Sequence, residues 1–254
     1  MKKLFMGCLL AAALVSCQNN AGQKTLTVMS YNVGVFSKYQ TNSMPGIAQL
    51  IRESGAALVG MSELDSCNTR HNAYQVKDLG EMLEWDYLFS RAIPYRGGAY
   101  GDGIVSAKPM LAKFCIPLSQ GDGAEARSLC VVETEDCVFG ATHLDHVSNA
   151  AALQQMKEVN EWFAANYAGC KKPVFLCGDL NVYPDSEVIA LAQTAWTLIS
   201  GTNVTFPSRN PNRCIDYIFA FQDAAPVEVV STRVITEGTA DLSDHLPLVV
   251  TVKF

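Results

Sequence analysis

A chain of 254 residues, 49% hydrophobic and 17% charged, carries enough apolar surface for a folded core and too much for a disordered polymer. Its formal charge of −6 and pI near 5.2 argue against a broad basic face, because Lys and Arg opposite phosphates supply most of the affinity for nucleic acid. A local basic site stays open.

The chain begins with Lys2 and Lys3, continues through the apolar run Leu9-Leu10-Ala11-Ala12-Ala13-Leu14, and reaches Val15-Ser16-Cys17. This pattern predicts a signal peptide over residues 1–16, too short to persist as a membrane span. Leu14-Val15-Ser16-Cys17 resembles the lipobox of bacterial lipoproteins. That resemblance implies a lipid on Cys17 and an exported protein anchored in the cell envelope, in the periplasm or at the cell surface. Residues 18–24 are polar and follow the lipidated cysteine as a tether. Setting Cys8 and Cys17 aside from the nine cysteines leaves seven: Cys67, Cys115, Cys130, Cys137, Cys170, Cys177 and Cys214. An odd number without C-x-x-C spacing predicts at most one or two disulfides and no thiolate metal site.

Thr25 to Tyr31 alternates and is β-branched, which predicts a strand ending at Asn32-Val33-Gly34. Asn42 or Ser43 before Pro45 opens a helix with Ile47, Leu50 and Ile51 inward, stopped by Gly55. The apolar run Ala56 to Met61 reads as a strand buried on both faces, and it ends in Ser62-Glu63. A helix over about Tyr74 to Trp85 leads through Tyr87-Leu88-Phe89 into a Gly- and Tyr-rich loop carrying Arg91, Arg96 and Tyr100. That loop reads either as a substrate wall or as a solvated connector. Four strands in hairpins follow: Gly103 to Ala107, Leu111 to Ile116, Arg127 to Glu133 and Cys137 to Thr142, with Lys108-Pro109 and Thr134-Glu135 as turns. Helical spacing begins at Asn149, puts Leu153, Met156, Val159 and Phe163 on one face, and ends near Gly169.

Pro173 to Cys177 is then a buried strand cut off by Gly178. It delivers Asp179 and Asn181, two positions apart and so on one side of an extended chain. A helix over about Ser186 to Gln193, a turn at Phe206-Pro207, and strands over Ile215 to Ala220, Val227 to Val234 and up to Val252 complete the chain. Many strands with few helices, and no repeat or composition shift after Lys24, predict one α/β domain over residues 25–254, two packed sheets with helices outside.

Polar residues collect at the predicted strand ends: Asn32, Glu63, His143, Asp145, Asp179, Asn181, Asp216, Asp244 and His245. Two of the four histidines fall in this set. Oxygen ligands without thiolates favour a hard cation, Mg²⁺ or Mn²⁺. Such a site with no Ser or Cys elbow points to water as the nucleophile.

Ser30-Tyr31-Asn32, the strand-end Glu63, Thr142-His143-Leu144-Asp145, Gly178-Asp179-Leu180-Asn181, Ile215-Asp216-Tyr217-Ile218 and Ser243-Asp244-His245-Leu246-Pro247 occur in that order. Together they resemble the endonuclease/exonuclease/phosphatase superfamily, which includes deoxyribonuclease I, abasic-site endonucleases, sphingomyelinases and inositol-polyphosphate phosphatases. The resemblance implies a deoxyribonuclease I-like, four-layered α/β/β/α sandwich with its site at one rim. It also implies roles. Glu63 would be the principal Mg²⁺ ligand, assisted by Asn32, with Asp244 beside the metal. Asp179 would orient or deprotonate the attacking water, and Asn181 would hold a phosphoryl oxygen or the metal shell. His245 would bind the scissile phosphate, with Asp216 fixing its tautomer, while His143 would hydrogen-bond the phosphate or protonate the leaving oxygen. Histidine at 143 looks more like the deoxyribonuclease I or sphingomyelinase branches than the abasic-site enzymes. Two positions depart from the family's pattern: Ser62 stands where glutamine is usual, and Asp102 where asparagine is frequent. Asp102 is expected to add negative charge near the rim and disfavour highly anionic substrates.

The expectation is therefore an exported, Mg²⁺-dependent hydrolase of a phosphodiester or phosphomonoester, with Arg91, Arg96, Tyr100 and Arg213 as candidate substrate contacts. A small nucleotide, a sugar phosphate or a lipid head group fits the acidic charge better than duplex DNA. A secreted nuclease would need Arg91, Arg96, Arg209 and Arg213 to converge on one rim, and a non-catalytic binding lipoprotein of the same fold would need gaps in the acid and histidine set. The chain is expected to be a monomer that meets a membrane only through its lipid.

Overall fold

The computed structural model describes residues 22–254; the leader, Cys17 and the first part of the tether lie outside the described residues. Among the described residues twelve strands form two sheets. The first contains β1 Thr25–Asn32, β2 Leu58–Ser66, β3 Asp86–Tyr95, β4 Gly98–Ser106, β11 Glu228–Val234 and β12 Leu248–Lys253, in the order β11-β12-β1-β2-β4-β3. The second contains β5 Ala112–Leu118, β6 Arg127–Glu133, β7 Val138–His143, β8 Val174–Asp179, β9 Trp196–Leu198 and β10 Asp216–Phe221, in the order β5-β6-β7-β8-β10-β9. Helices α1 Met44–Ser54 and α3 Asn149–Tyr167 connect the parallel pairs β1/β2 and β7/β8, which need such crossovers. α2 Gln75–Leu83 and α4 Glu187–Ala192 are the other α-helices of the described residues.

Alternation along the strands divides the core into three apolar layers. In β8, Phe175 and Cys177 face the other sheet with Val28, Phe139 and Val250, while Val174 and Leu176 turn outward to Met156, Val159 and Phe163 of α3. In β1, Met29 and Tyr31 turn outward to Ile47 and Ile51 of α1. Helix, sheet, sheet and helix are thus glued by successive layers of buried side chains, the four-layered sandwich expected from the motifs. The helix ends follow their cap residues. Ser148 Oγ accepts the Ala151 N–H at 3.1 Å at the start of α3, and Gly55 ends α1 at a φ of 75°.

Two readings change. The Gly- and Tyr-rich segment is a hairpin, β3 and β4, with its tip at Arg96-Gly97 where φ is 43° and 87°; glycines that signal a loop in sequence stand here inside paired strands. Lys108-Pro109 is no hairpin turn, because β4 and β5 lie in different sheets and this segment carries the chain between them. β9 escapes periodicity because it has only three residues. All seven cysteines of the described residues are free thiols. Among the described residues no helix is long and apolar enough to cross a membrane.

Candidate active site

Strand register assembles the site. At the end of β8, Asp179 lies opposite His143 of β7 on one side and Asp216 of β10 on the other. In the first sheet Asn32 ends β1, and β2 shifts register between Met61 and Leu64. Glu63 sits in that bulge with a φ of 60°, so it lies within a strand that continues to Ser66 and not at a strand end; the bulge re-aims its side chain. Glu63, His143, Asp179, Asn181, Asp244 and His245 line one cleft of about 370 Å³, with Asn32 and Asp216 buried behind them.

Asp179 is the centre of this arrangement. Its Oδ2 accepts from Asn32 Nδ2 at 3.1 Å and stands 3.6 Å from His143 Nε2 and 3.5 Å from His245 Nε2. Its Oδ1 accepts the Asn181 N–H at 3.0 Å. Burial pushes the Asp179 carboxyl up from the usual range; His245 opposes this, Asp216 adds to it, and Asn32 and Asn181 hold it down in part. A carboxylate so placed accepts a proton readily.

The surroundings of the two histidines beside it push their proton affinities in opposite directions. His245 Nδ1–H donates to Asp216 Oδ2 at 2.9 Å, and that oxygen also accepts from Thr205 Oγ1 at 2.5 Å. Burial works against a charged ring here, but Asp216, Asp179 and Asp244 outweigh it and push the His245 pKa up. The Phe206 ring covers His245 at a centroid distance of 4.7 Å. His143 is the reverse case. Its Nδ1 faces Arg127 Nη1 at 3.3 Å; a guanidinium can only donate, so Nδ1 accepts and Nε2 carries the proton toward Asp179. Burial, then Arg127 and His245, hold the His143 pKa well below the ordinary histidine value, leaving a neutral donor.

Residues 29–245 match the Endonuclease/Exonuclease/phosphatase family. The chain belongs to that family. Enzymes of the family hydrolyse phosphoric ester bonds, and this chain is a hydrolase of that kind. Among solved structures, a Bacteroides thetaiotaomicron mannosyl-6-phosphatase shares 22% identity at a TM-score of 0.75 over 90% of this chain and 100% of that one. An endonuclease/exonuclease/phosphatase from Beutenbergia cavernae shares 21% at 0.71, over 91% and 72%. D. rerio TDP2, complexed with single strand DNA product, shares 17% at 0.67, over 90% and 98%. At these identities the likeness is one of fold. No curated protein matches the chain.

Enzymes of the endonuclease/exonuclease/phosphatase family generally use a divalent metal, and the donor set suits a hard one. Glu63 Oε2 and Asp244 Oδ2 already hold a cation: Lys38 Nζ lies 3.3 Å from the first and 3.1 Å from the second. Asp179, Asp216 and His245 also bring ligand atoms within 4.8 Å of one another. In that second group, however, the charged His245 ring is already the cation between the acids, so Glu63 and Asp244 are the better pair. Asn32, the expected assisting ligand, is held by three hydrogen bonds, and its amide oxygen keeps a second lone pair that a cation could use. Its amide oxygen accepts the Gly34 N–H at 3.1 Å, and its nitrogen donates to Glu63 at 3.2 Å as well as to Asp179. It ties two carboxylates together.

The remaining expectations divide. Tyr100 and Arg213 line the cleft. Arg91 is exposed on β3 and Arg96 sits at the hairpin tip against the Tyr95 ring, 5.3 Å away; neither lines the cleft, because the hairpin carries them past it. Arg209 pairs with Asp241 at 2.8 Å and is likewise outside. The four arginines do not converge. Asp145 turns its carboxylate to the N–H groups of Ala124, Val147 and Ser148 and builds a loop. Asp102 is buried beneath the site with its carboxyl pushed well up by burial, so it does not supply the expected rim charge; the cleft's Glu125 is paired with Arg127 at 3.0 Å. Sequence reasoning missed Lys38, Glu125, Arg127, His146, Tyr183 and Phe206. An arginine opening an apolar strand was a usable signal for Arg127.

Proposed function

We propose that this chain is a Mg²⁺-dependent phosphoesterase that hydrolyses the phosphate ester of a small, otherwise uncharged alcohol by direct attack of water. The observation that carries the reading is Asp179, a buried carboxylate with a raised proton affinity, held between a charged and a neutral imidazole. Asp179 takes the proton of the attacking water. The charged His245, oriented by Asp216, meets the negative charge that develops on the phosphoryl oxygens. His143 donates its Nε2–H to a phosphoryl oxygen; as the bond from phosphorus to the ester oxygen breaks, the leaving alcohol oxygen takes its proton from solvent water, because the neutral His143 ring is a donor and not a proton source. Asn181, whose nitrogen donates to the Leu144 carbonyl at 3.0 Å, keeps a second N–H for the same phosphoryl group. Mg²⁺ held by Glu63 and Asp244 would supply Lewis-acid stabilisation of the transferring group.

The walls support the substrate class. Tyr100, Tyr183 and Phe206 offer apolar faces, and Glu125, paired with Arg127 at 3.0 Å, adds a carboxylate that can accept from hydroxyl groups. Toward β3 the cleft continues past Tyr100 to Tyr95, Ile93 and Arg70. Arg70 is committed to the buried Asp65 by two bonds of 2.8 Å, so it offers little to another anion. A sugar phosphate suits such a mixture of ring faces and carboxylates, and the mannosyl-6-phosphatase of similar fold makes that the first substrate to try.

Mannose 6-phosphate, p-nitrophenyl phosphate, bis-p-nitrophenyl phosphate, sphingomyelin and single-stranded DNA, each with Mg²⁺ and with EDTA, form the test. Sugar phosphate turnover in Mg²⁺, falling at least about 100-fold in EDTA, is expected. Turnover of DNA alone would replace this reading with a nuclease, and silence in a folded protein would replace it with a binding lipoprotein. We further propose that the chain is exported and held to the envelope through a lipid on Cys17. Cys17→Ser should then move it from the membrane to the soluble fraction; retention on the membrane would defeat the proposal.

A further inference from the structure

We propose that Lys38 is a tethered counter-ion of the metal site, which a divalent cation must displace before the site can be loaded. The inference rests on the reading that Glu63 and Asp244 hold that cation. The Lys38 ammonium bridges these two carboxylates, 3.3 and 3.1 Å away, where it cancels the repulsion between them. A second cation bound to the same oxygens would stand within a few ångströms of the ammonium, and like charges at that range repel strongly. The two are alternatives.

The loop around Lys38 is built to put it there. Tyr39 lies under the Arg209 guanidinium at 3.8 Å, Arg209 is fixed to Asp241 at 2.8 Å, and Gln40 Nε2 donates to the Asp241 carbonyl at 3.0 Å. The Lys38 stem lies across Gly34, which has a φ of 53°; a Cβ on Gly34 would stand 2.2 Å from Lys38 Cγ. Glycine at this position therefore leaves room for the lysine to reach the acids. The Lys38 side chain is 34% exposed, so it can leave toward solvent without disturbing a packed layer. A site with its own displaceable cation binds metal more weakly than its acids alone would, and fills only where divalent cation is plentiful.

The test measures Mg²⁺ binding by calorimetry, without substrate, in the full chain and in its Lys38→Met and Lys38→Arg variants. Lys38→Met is expected to bind Mg²⁺ about tenfold more tightly than the parent, and Lys38→Arg, which keeps the charge, within about threefold of it. Equal or weaker binding by Lys38→Met would overturn the inference and leave the metal reading standing. No Mg²⁺ binding in any of the three would overturn both. A measurement on the unaltered chain guards against a misfolded variant: acetylation of Lys38 by acetic anhydride, followed by peptide mass spectrometry, should quicken several-fold when Mg²⁺ is added, while Lys77 and Lys157 stay unchanged. A Lys38 rate indifferent to bound Mg²⁺ would also overturn it.

Discussion

Replacing His245 with Gln is expected to lower kcat/KM for the phosphate ester by about 10³-fold, or about 4 kcal/mol of transition-state stabilisation. Glutamine fills much of the same space and can still donate a hydrogen bond, so the loss isolates the ring's charge. That charge exists because the buried ring is surrounded by Asp216 at 2.9 Å and Asp179 at 3.5 Å. Asp216 hydrogen-bonds to His245 and stands close enough to Asp179 to raise its proton affinity, so it acts through these two groups and Asp216→Asn should cost less, about 10- to 100-fold. The double variant decides between roles. If Asp216 acts by orienting His245, removing both should cost no more than His245→Gln alone. Multiplying losses would mean that Asp216 acts mainly through the proton affinity of Asp179 and would sink its assignment as the residue that orients His245. Steady-state kinetics on the best substrate of the panel checks all three.

The parts of this site legible in the sequence are those where a polar residue breaks an apolar run. Asp179 follows Val174 to Gly178, and His143 follows Val138 to Thr142; in each case the burial pattern of the strand is unbroken up to the polar group. Pattern could not separate Asp145 from Asp179, since both are acids just past apolar strands. The difference is that three backbone N–H groups claim Asp145. Lys38 was hidden for another reason. A lysine in a polar loop reads as a solvated charge, and only the bulge at Glu63 and the approach of the loop before β12 give it two carboxylates. Arg91 and Arg96 failed in the opposite sense, because their loop is a hairpin and pairing fixes which way each residue points. Three-dimensional closeness across two sheets has no period in the sequence, so side chains recruited that way are the ones pattern reading loses.

Gly178→Ala is expected to destabilise the protein by about 3–5 kcal/mol, the sum of a backbone conformation that L side chains rarely adopt and an overpacked contact. Gly178 has a φ of 152°, and a Cβ built on it would lie 1.8 Å from the Thr142 carbonyl oxygen. That oxygen cannot swing away as a flexible side chain could. It belongs to β7, paired in register with Gly178 in the middle of the second sheet, and the residue after it is His143. Relief of the clash must therefore part β7 from β8 at the point where they deliver His143 and Asp179. The melting temperature should fall by roughly 10 °C, and hydrolysis should fall with it even at temperatures where the variant is folded, because Asp179 and His143 would no longer share one geometry. Differential scanning calorimetry and turnover at 15 °C test the two halves separately. A variant within 2 °C of the parent, a shift corresponding to about 1 kcal/mol or less, would mean that the strands have room the contact denies. A destabilised variant with full turnover would mean that the register of β7 and β8 does not position the chemistry.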